Sequence, residues 1–145
     1  MTKIDFYVVE DQAEMARWRI AGRLAEKAYH LGHTVHVHAA NPEQATRLDQ
    51  FLWTFRDGSF LPHARIGDTA VNPPDTAVPV MVGAGEEPLP DTQILINLGD
   101  DVPGFFSRID RVMEIVGGND KTRAAARARF KFYRDRGYDL TSHKL

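Results

Sequence analysis

The chain has 145 residues, 43% hydrophobic and 26% charged, with a formal net charge of −2. That length and apolar content suit a single domain over 1–145 with one core, and no apolar run approaches the ~20 residues that span a bilayer. Cysteine is absent, which excludes disulfides, thiolate metal sites and cysteine nucleophiles; the expectation is a cytoplasmic protein needing no metal or other cofactor.

The opening MTKIDFYVVEDQ reads straight into a strand, Ile4–Val9, without signal-peptide architecture. Glu14–Leu31 follows with Ile20, Leu24, Ala28 and Leu31 at helical spacing, and Gly32 supplies a stop. Thr34–Ala39 is a second strand. Asn41 and Pro42 read as an N-cap and first helical residue of a helix through about Trp53. This β-α-β-α rhythm with short connections predicts an α/β fold: a mostly parallel sheet with flanking helices. Phe60–Pro62 returns the chain to the body, and Ala64–Ala77, with few large apolar residues and Pro73–Pro74, reads as a surface loop. Pro79–Val82 and Gln93–Leu98 read as central strands, joined by an exposed loop over Gly83–Asp91. Phe105 and Phe106 fall in a short helix or turn. Arg111–Val116 reads as another strand before Gly117–Gly118, and Asn119 or Asp120 caps a final helix that Gly137 ends.

Several chemistries lack support. A doubly wound (Rossmann-like) sheet raises the thought of nucleotide binding, yet the first strand runs into Glu10-Asp11-Gln12, carboxylates where a phosphate needs glycines and backbone amides. Gly83-Ala84-Gly85 is a fragment of a phosphate motif, followed by two glutamates. The expected fold therefore carries no nucleotide site. His36 and His38 share one face of a strand, with His30 and His33 nearby. No acid or third histidine is fixed beside them by spacing, so locally hydrogen-bonded histidines are the simpler reading than a metal site. Ser59, Ser107 and Ser142 sit in no recognisable nucleophile turn. Catalysis is not indicated.

The last helix is different. Lys121–Arg136 (KTRAAARARFKFYRDR) holds seven basic residues and one acid, a local +6, so the rest of the chain sums to −8. Such a face attracts an anionic partner while the remaining surface repels polyanions. At ~100° per residue, Arg123, Arg127, Phe130 or Lys131, and Arg134 form one stripe, whereas Ala124, Ala128 and Phe132 are expected to turn toward the sheet. Guanidinium groups interleaved with a ring suit a peptide carrying acids and a terminal aromatic side chain. A merely solvated helix and direct single-strand binding are the competing readings. Against the latter stand the acidic remainder and the lack of a second basic strip. A second cluster, Arg47-Leu48-Asp49-Gln50-Phe51-Leu52-Trp53 with Phe60-Leu61-Pro62-His63, puts Leu48, Phe51 and Leu52 in the core. Trp53 and Phe60 are left as ordinary core at a domain edge or as a docking patch.

RLDQFLW at 47–53, FLPH at 60–63 and ARARFKFYRDRGYDL at 126–140 resemble the chi subunit of bacterial DNA polymerase III holoenzyme, as does the opening IDFYVVE and the order of elements along nearly the whole chain. The resemblance implies a non-catalytic accessory subunit of the clamp-loader assembly with a nucleotide-free α/β fold. It implies binding of the acidic, Pro-Phe-ending C-terminal tail of single-stranded DNA-binding protein by Arg123, Arg127, Phe130 and Lys131, with Arg134 and Tyr133 as secondary participants. It also implies contact with a psi subunit or a related helicase through Trp53 and Phe60, with neither a membrane nor specific DNA as partner. Phe130 stands where the pattern has tyrosine, which keeps a ring contact and removes a hydroxyl.

Overall fold

The computed structural model describes residues 1–55, 61–66 and 78–145. Among them the chain runs β1 (Lys3–Val8), α1 (Glu14–His30), β2 (Val35–His38), α2 (Pro42–Thr54), β3 (His63–Arg65), β4 (Val80–Gly83), β5 (Ile94–Asn97), a 3-10 turn (Phe106–Arg108), β6 (Arg111–Val116), α3 (Asp120–Asp135) and β7 (Asp139–Lys144). The strands form a seven-stranded sheet in the order β3-β4-β2-β5-β6-β1-β7. Every pairing is parallel, with Ile4 opposite Val112 and Leu140, and Val35 opposite Val80 and Ile94.

A parallel sheet is covered on both faces, and the alternation of side chains sorts residues between two cores. Val35, Val37, Val80, Val82, Ile94, Ile96, Met113 and Ile115 point to the side carrying α1 and α2. Ile4, Phe6, Leu95 and Val112 point to the other, where Phe105, Phe106, Ile109 and Tyr133 of the turn and α3 complete the layer. α1 packs closely because its inner face is small: Ala16, Ala21, Ala25 and Ala28 are buried, and a Cβ at Gly22 would lie 3.0 Å from the Phe55 ring. Asn41 caps α2 by accepting from the Gln44 amide at 2.8 Å, and the Gln44 side chain accepts from the Ala40 amide at 2.7 Å, a reciprocal box before Pro42. Asn119 caps α3 through the Thr122 amide at 2.9 Å, and Gly137, at φ +79°, ends it.

One expectation is corrected, and one strand adds to those expected. The stretch read as a loop from Ala64 begins inside β3, where Ala64 is buried and pairs with Met81; residues 67–77 lie outside the described set. The chain after Gly137 forms an added edge strand, β7. Its residues are mostly exposed, so it lacks the apolar run by which buried strands are read.

Candidate functional site

The orientation of α3 is set from beneath by one carboxylate. Glu114, on β6, is fully buried. It accepts from Arg129 Nε at 2.9 Å, from the Tyr133 hydroxyl at 2.7 Å and from Asn97 Nδ2 at 3.0 Å. Arg129 Nη1 donates to the Asp100 carbonyl at 2.9 Å. Burial, and then the Glu114 charge, push the Tyr133 hydroxyl far above its ordinary range, so it is a neutral donor. A buried charge must be paired. The helix therefore turns Ala126, Arg129 and Tyr133 inward.

That rotation corrects the expected inner face: Ala124 and Ala128 are exposed, and Phe132 is half-buried against Phe106, with the Arg136 guanidinium 3.6 Å from its ring centroid. It also removes Arg129 from the solvent-facing charge, and it corrects the expected secondary role of Tyr133 in tail binding, since that side chain is fully buried on Glu114. The stripe expected from spacing survives on the flank. Arg127 and Lys131 are exposed and engage no hydrogen bond or ion pair among the described residues. Arg134 is exposed with a loose contact to Asp135 at 3.6 Å. Phe130 is half-buried beside them, edge-on to Phe6 at 5.1 Å. Arg123 differs: its Nη2 donates to the Val9 and Glu10 carbonyls at 2.7 and 3.1 Å and its Nε to the Gly118 carbonyl at 3.1 Å, tying α3 to the end of β1.

At the other end of the sheet, Trp53 is 55% exposed at the last turn of α2. Its ring lies 4.2 Å from that of His63, which β3 fixes between the Leu61 and Asp49 carbonyls, each 2.8 Å from a ring nitrogen. Leu48 and Leu52 are buried and Phe51 is half-buried, as expected. Phe60 lies outside the described residues.

The carboxyl ends of β5 and β6 border the crevice where this architecture usually takes ligands. Arg17 is buried there, donating to the carbonyls of Ile115 at 3.3 Å and Leu98 at 3.2 Å and pairing with Glu14 at 3.1 Å. A Cβ at Gly117 would meet Arg17 Cγ at 2.9 Å. Arg17 carries one signal in the sequence, the Glu14–Arg17 spacing at i,i+3. The Gly83–Gly85 fragment is likewise engaged, since the Ala84 amide donates to Glu86 Oε2 at 3.0 Å. His36 and His38 do share a face, with rings 6.4 Å apart under the edge of Phe105, but the expected local hydrogen bonds are corrected: among the described residues neither His36 ring nitrogen nor His38 Nδ1 has a hydrogen-bond partner. Burial, with a lesser push from His38, brings the His36 pKa down to about 4. Among the described residues no three His, Cys, Asp or Glu side chains are grouped to hold a metal, and no helix is long and apolar enough to cross a membrane.

A seven-stranded parallel sheet flanked by helices, with Arg17 buried at the carboxyl ends of β5 and β6, defines a Rossmann-like α/β domain. T4 UvsW superposes with a TM-score of 0.71 at 8% identity and Saccharomyces cerevisiae Dbp5 with 0.68 at 10%, each match covering 99% of this chain and 41% of the other. The C-terminal domain of Dbp5 gives 0.62 at 11%, covering 99% of this chain and 91% of that one. These likenesses concern the fold alone. The sequence narrows the class: residues 1–141 match the DNA polymerase III chi subunit family, and the chain belongs to it. It is 41% identical to the chi subunit of Pseudomonas aeruginosa over 145 residues, spanning 100% of this chain and 98% of that protein. The chi subunits of Haemophilus influenzae and Escherichia coli are each 26% identical, over 97% and 98% of this chain and 95% and 97% of theirs.

Proposed function

We propose that this chi-family chain is a non-catalytic adaptor of the clamp-loader assembly whose α3 flank receives the acidic C-terminal tail of single-stranded DNA-binding protein. The observation that carries the reading is the pair Arg127 and Lys131, whose side chains are exposed and unpartnered among the described residues, with the half-buried Phe130 ring beside them. Unpartnered guanidinium and ammonium groups accept carboxylates without first breaking an internal bond, and a charge-assisted bond contributes ~1.5–3 kcal/mol where water is excluded, less at a rim. Arg134 extends the stripe. Arg123 has its guanidinium held on carbonyls, so its part is to shape the end of the site. Trp53, projecting beside His63, is the anchor for the second partner, a psi subunit or a related helicase, with Phe60 assigned by the motif. Calorimetric titration with the tail peptide, intact and lacking its last Phe, tests the first surface.

Direct single-strand binding is the second reading, and one observation favours it: α1 exposes a further basic row, Arg19, Arg23 and Lys27, that was not expected from the sequence. Those residues lie across the sheet from α3 and no exposed aromatic ring accompanies them on α1, so they do not form one stacking track with it. A steep salt dependence of binding to bare oligonucleotide is the signature of that alternative.

A further inference from the structure

A partly enclosed cleft of about 120 Å³ lies between the end of α1 and the starts of β5 and β6, on the face of the sheet opposite α3. Its wall is apolar: Leu24, Ala28, Ile94 and Met113. Its polar liners are Tyr7, Lys27, His33 and Arg111, and among the described residues no carboxylate lines it. Behind Arg111 sits Asp5, which is buried and shared: Arg111 Nε donates to it at 2.7 Å and His143 Nε2 lies 3.0 Å away. Arg111 Nη2 donates to the Tyr7 hydroxyl at 3.2 Å, orienting the guanidinium along the cleft. The Lys27 side chain has no hydrogen-bond or ionic partner among the described residues. Asp5 thus cancels one cation, and a surplus positive charge remains at the polar end.

We propose that this cleft binds a small organic acid, a carboxylate carried on a compact apolar body. The size fits: an apolar cavity of about 150 Å³ in an engineered lysozyme holds benzene, so a single ring or branched chain fills a space of this order. The charge fits too. The α1 C-terminus adds a negative dipole, but its last carbonyls are taken by the amides of Leu31, Gly32 and His33. The one uncancelled side-chain charge, that of Lys27, still outweighs a residual half charge. An amine would meet Lys27 and Arg111 with like charge, and a neutral ligand would gain the wall alone. The site is independent of the α3 surface, because it uses the other layer of the fold.

The test is a methyl-resolved NMR titration of the full chain with phenylacetate, benzyl alcohol and benzylamine in parallel. Phenylacetate is expected to give saturable shifts confined to Leu24, Ile94 and Met113, with a dissociation constant on the order of 1 mM, as suits so small a ligand. Each analogue should bind at least about tenfold more weakly, since one charge-assisted contact is worth that much. Lys27→Gln, an exposed substitution, should weaken phenylacetate several-fold, whereas Arg19→Gln further up the same helix should not. Absence of phenylacetate shifts at those methyls, equal binding of the three probes, or indifference to Lys27→Gln would each overturn the proposal.

Discussion

Arg129 on α3 meets Glu114 on β6 at 2.9 Å in a place where both side chains are almost wholly buried, 3% and 0% exposed. This contact decides which residues of the basic helix face water. A charge sunk that deep without its counter-charge is costly, so the helix has one acceptable rotation, and Arg127 and Lys131 are carried to the outside by it.

Arg129→Met should therefore destabilise the fold by about 3–5 kcal/mol, because Glu114 is left with only the Tyr133 and Asn97 donors. Arg127→Ala, two residues away and exposed, should stay within ~0.5 kcal/mol of the parent. Urea denaturation of both variants checks the contrast, and equal losses would show that the buried pair does not orient α3.

On binding, the order reverses among the arginines that reach solvent. Arg127→Ala is expected to weaken the tail peptide by ~1–3 kcal/mol with the fold intact. Arg123→Ala should cost about 1 kcal/mol of stability as well, since three carbonyl contacts at Val9, Glu10 and Gly118 are lost. A variant at Arg123 with unchanged denaturation would contradict its tie to β1.

The pH dependence follows from His36. Its folded pKa of about 4 lies below the ordinary 6.5, so between these values the unfolded chain binds a proton that the folded one refuses. Stability is then fully present above about pH 6.5 and falls as pH drops toward 4, by roughly 3 kcal/mol at the bottom of the window. For Asp5, burial raises the carboxyl pKa but the hydrogen bonds from His143 and Arg111 outweigh it, and the net depression places its contribution in a separate window below 3.8. His36→Leu should reduce the slope of Tm between pH 4 and 6.5, leaving the part contributed by His38, whose pKa burial also lowers, and leave the lower window unchanged. An undiminished slope in His36→Leu assigns the effect elsewhere.

Trp53→Ala, at a 55% exposed position, should cost the isolated domain no more than ~1 kcal/mol while abolishing capture of its second protein partner. Loss of folding in that variant would make the Trp53–His63 contact a core element instead of a docking patch.

Much of this was legible in the sequence. The apolar runs from Ile4, Thr34, Gln93 and Arg111 mark central strands because both faces of a parallel sheet are buried, and Asn41-Pro42 and Gly137 mark helix ends by their backbone chemistry. β7 escaped because an edge strand carries polar residues such as Asp139, Thr141 and Ser142, which alternation on a core does not require. Helical spacing placed Arg123, Arg127, Lys131 and Arg134 on one stripe correctly. It could not tell that Arg129 and Tyr133, polar by type, would be the buried face, because that depends on Glu114 arriving from a distant strand. Small residues such as Ala124 and Ala128 looked like the packing face by type and are exposed for the same reason. Arg17 was hidden likewise: its partners are backbone carbonyls of Leu98 and Ile115, which leave no mark in the residue letters.

The most direct measurement is a calorimetric titration of the full chain with the C-terminal tail peptide of the cognate single-stranded DNA-binding protein, beside a copy lacking the final phenylalanine. The expected result is saturable binding of the intact tail, loss of binding with that one residue, and a tenfold or greater weakening in Arg127→Ala. Equal binding of the two peptides, or binding indifferent to Arg127, would contradict a tail receptor on α3 and leave the helix as charge alone.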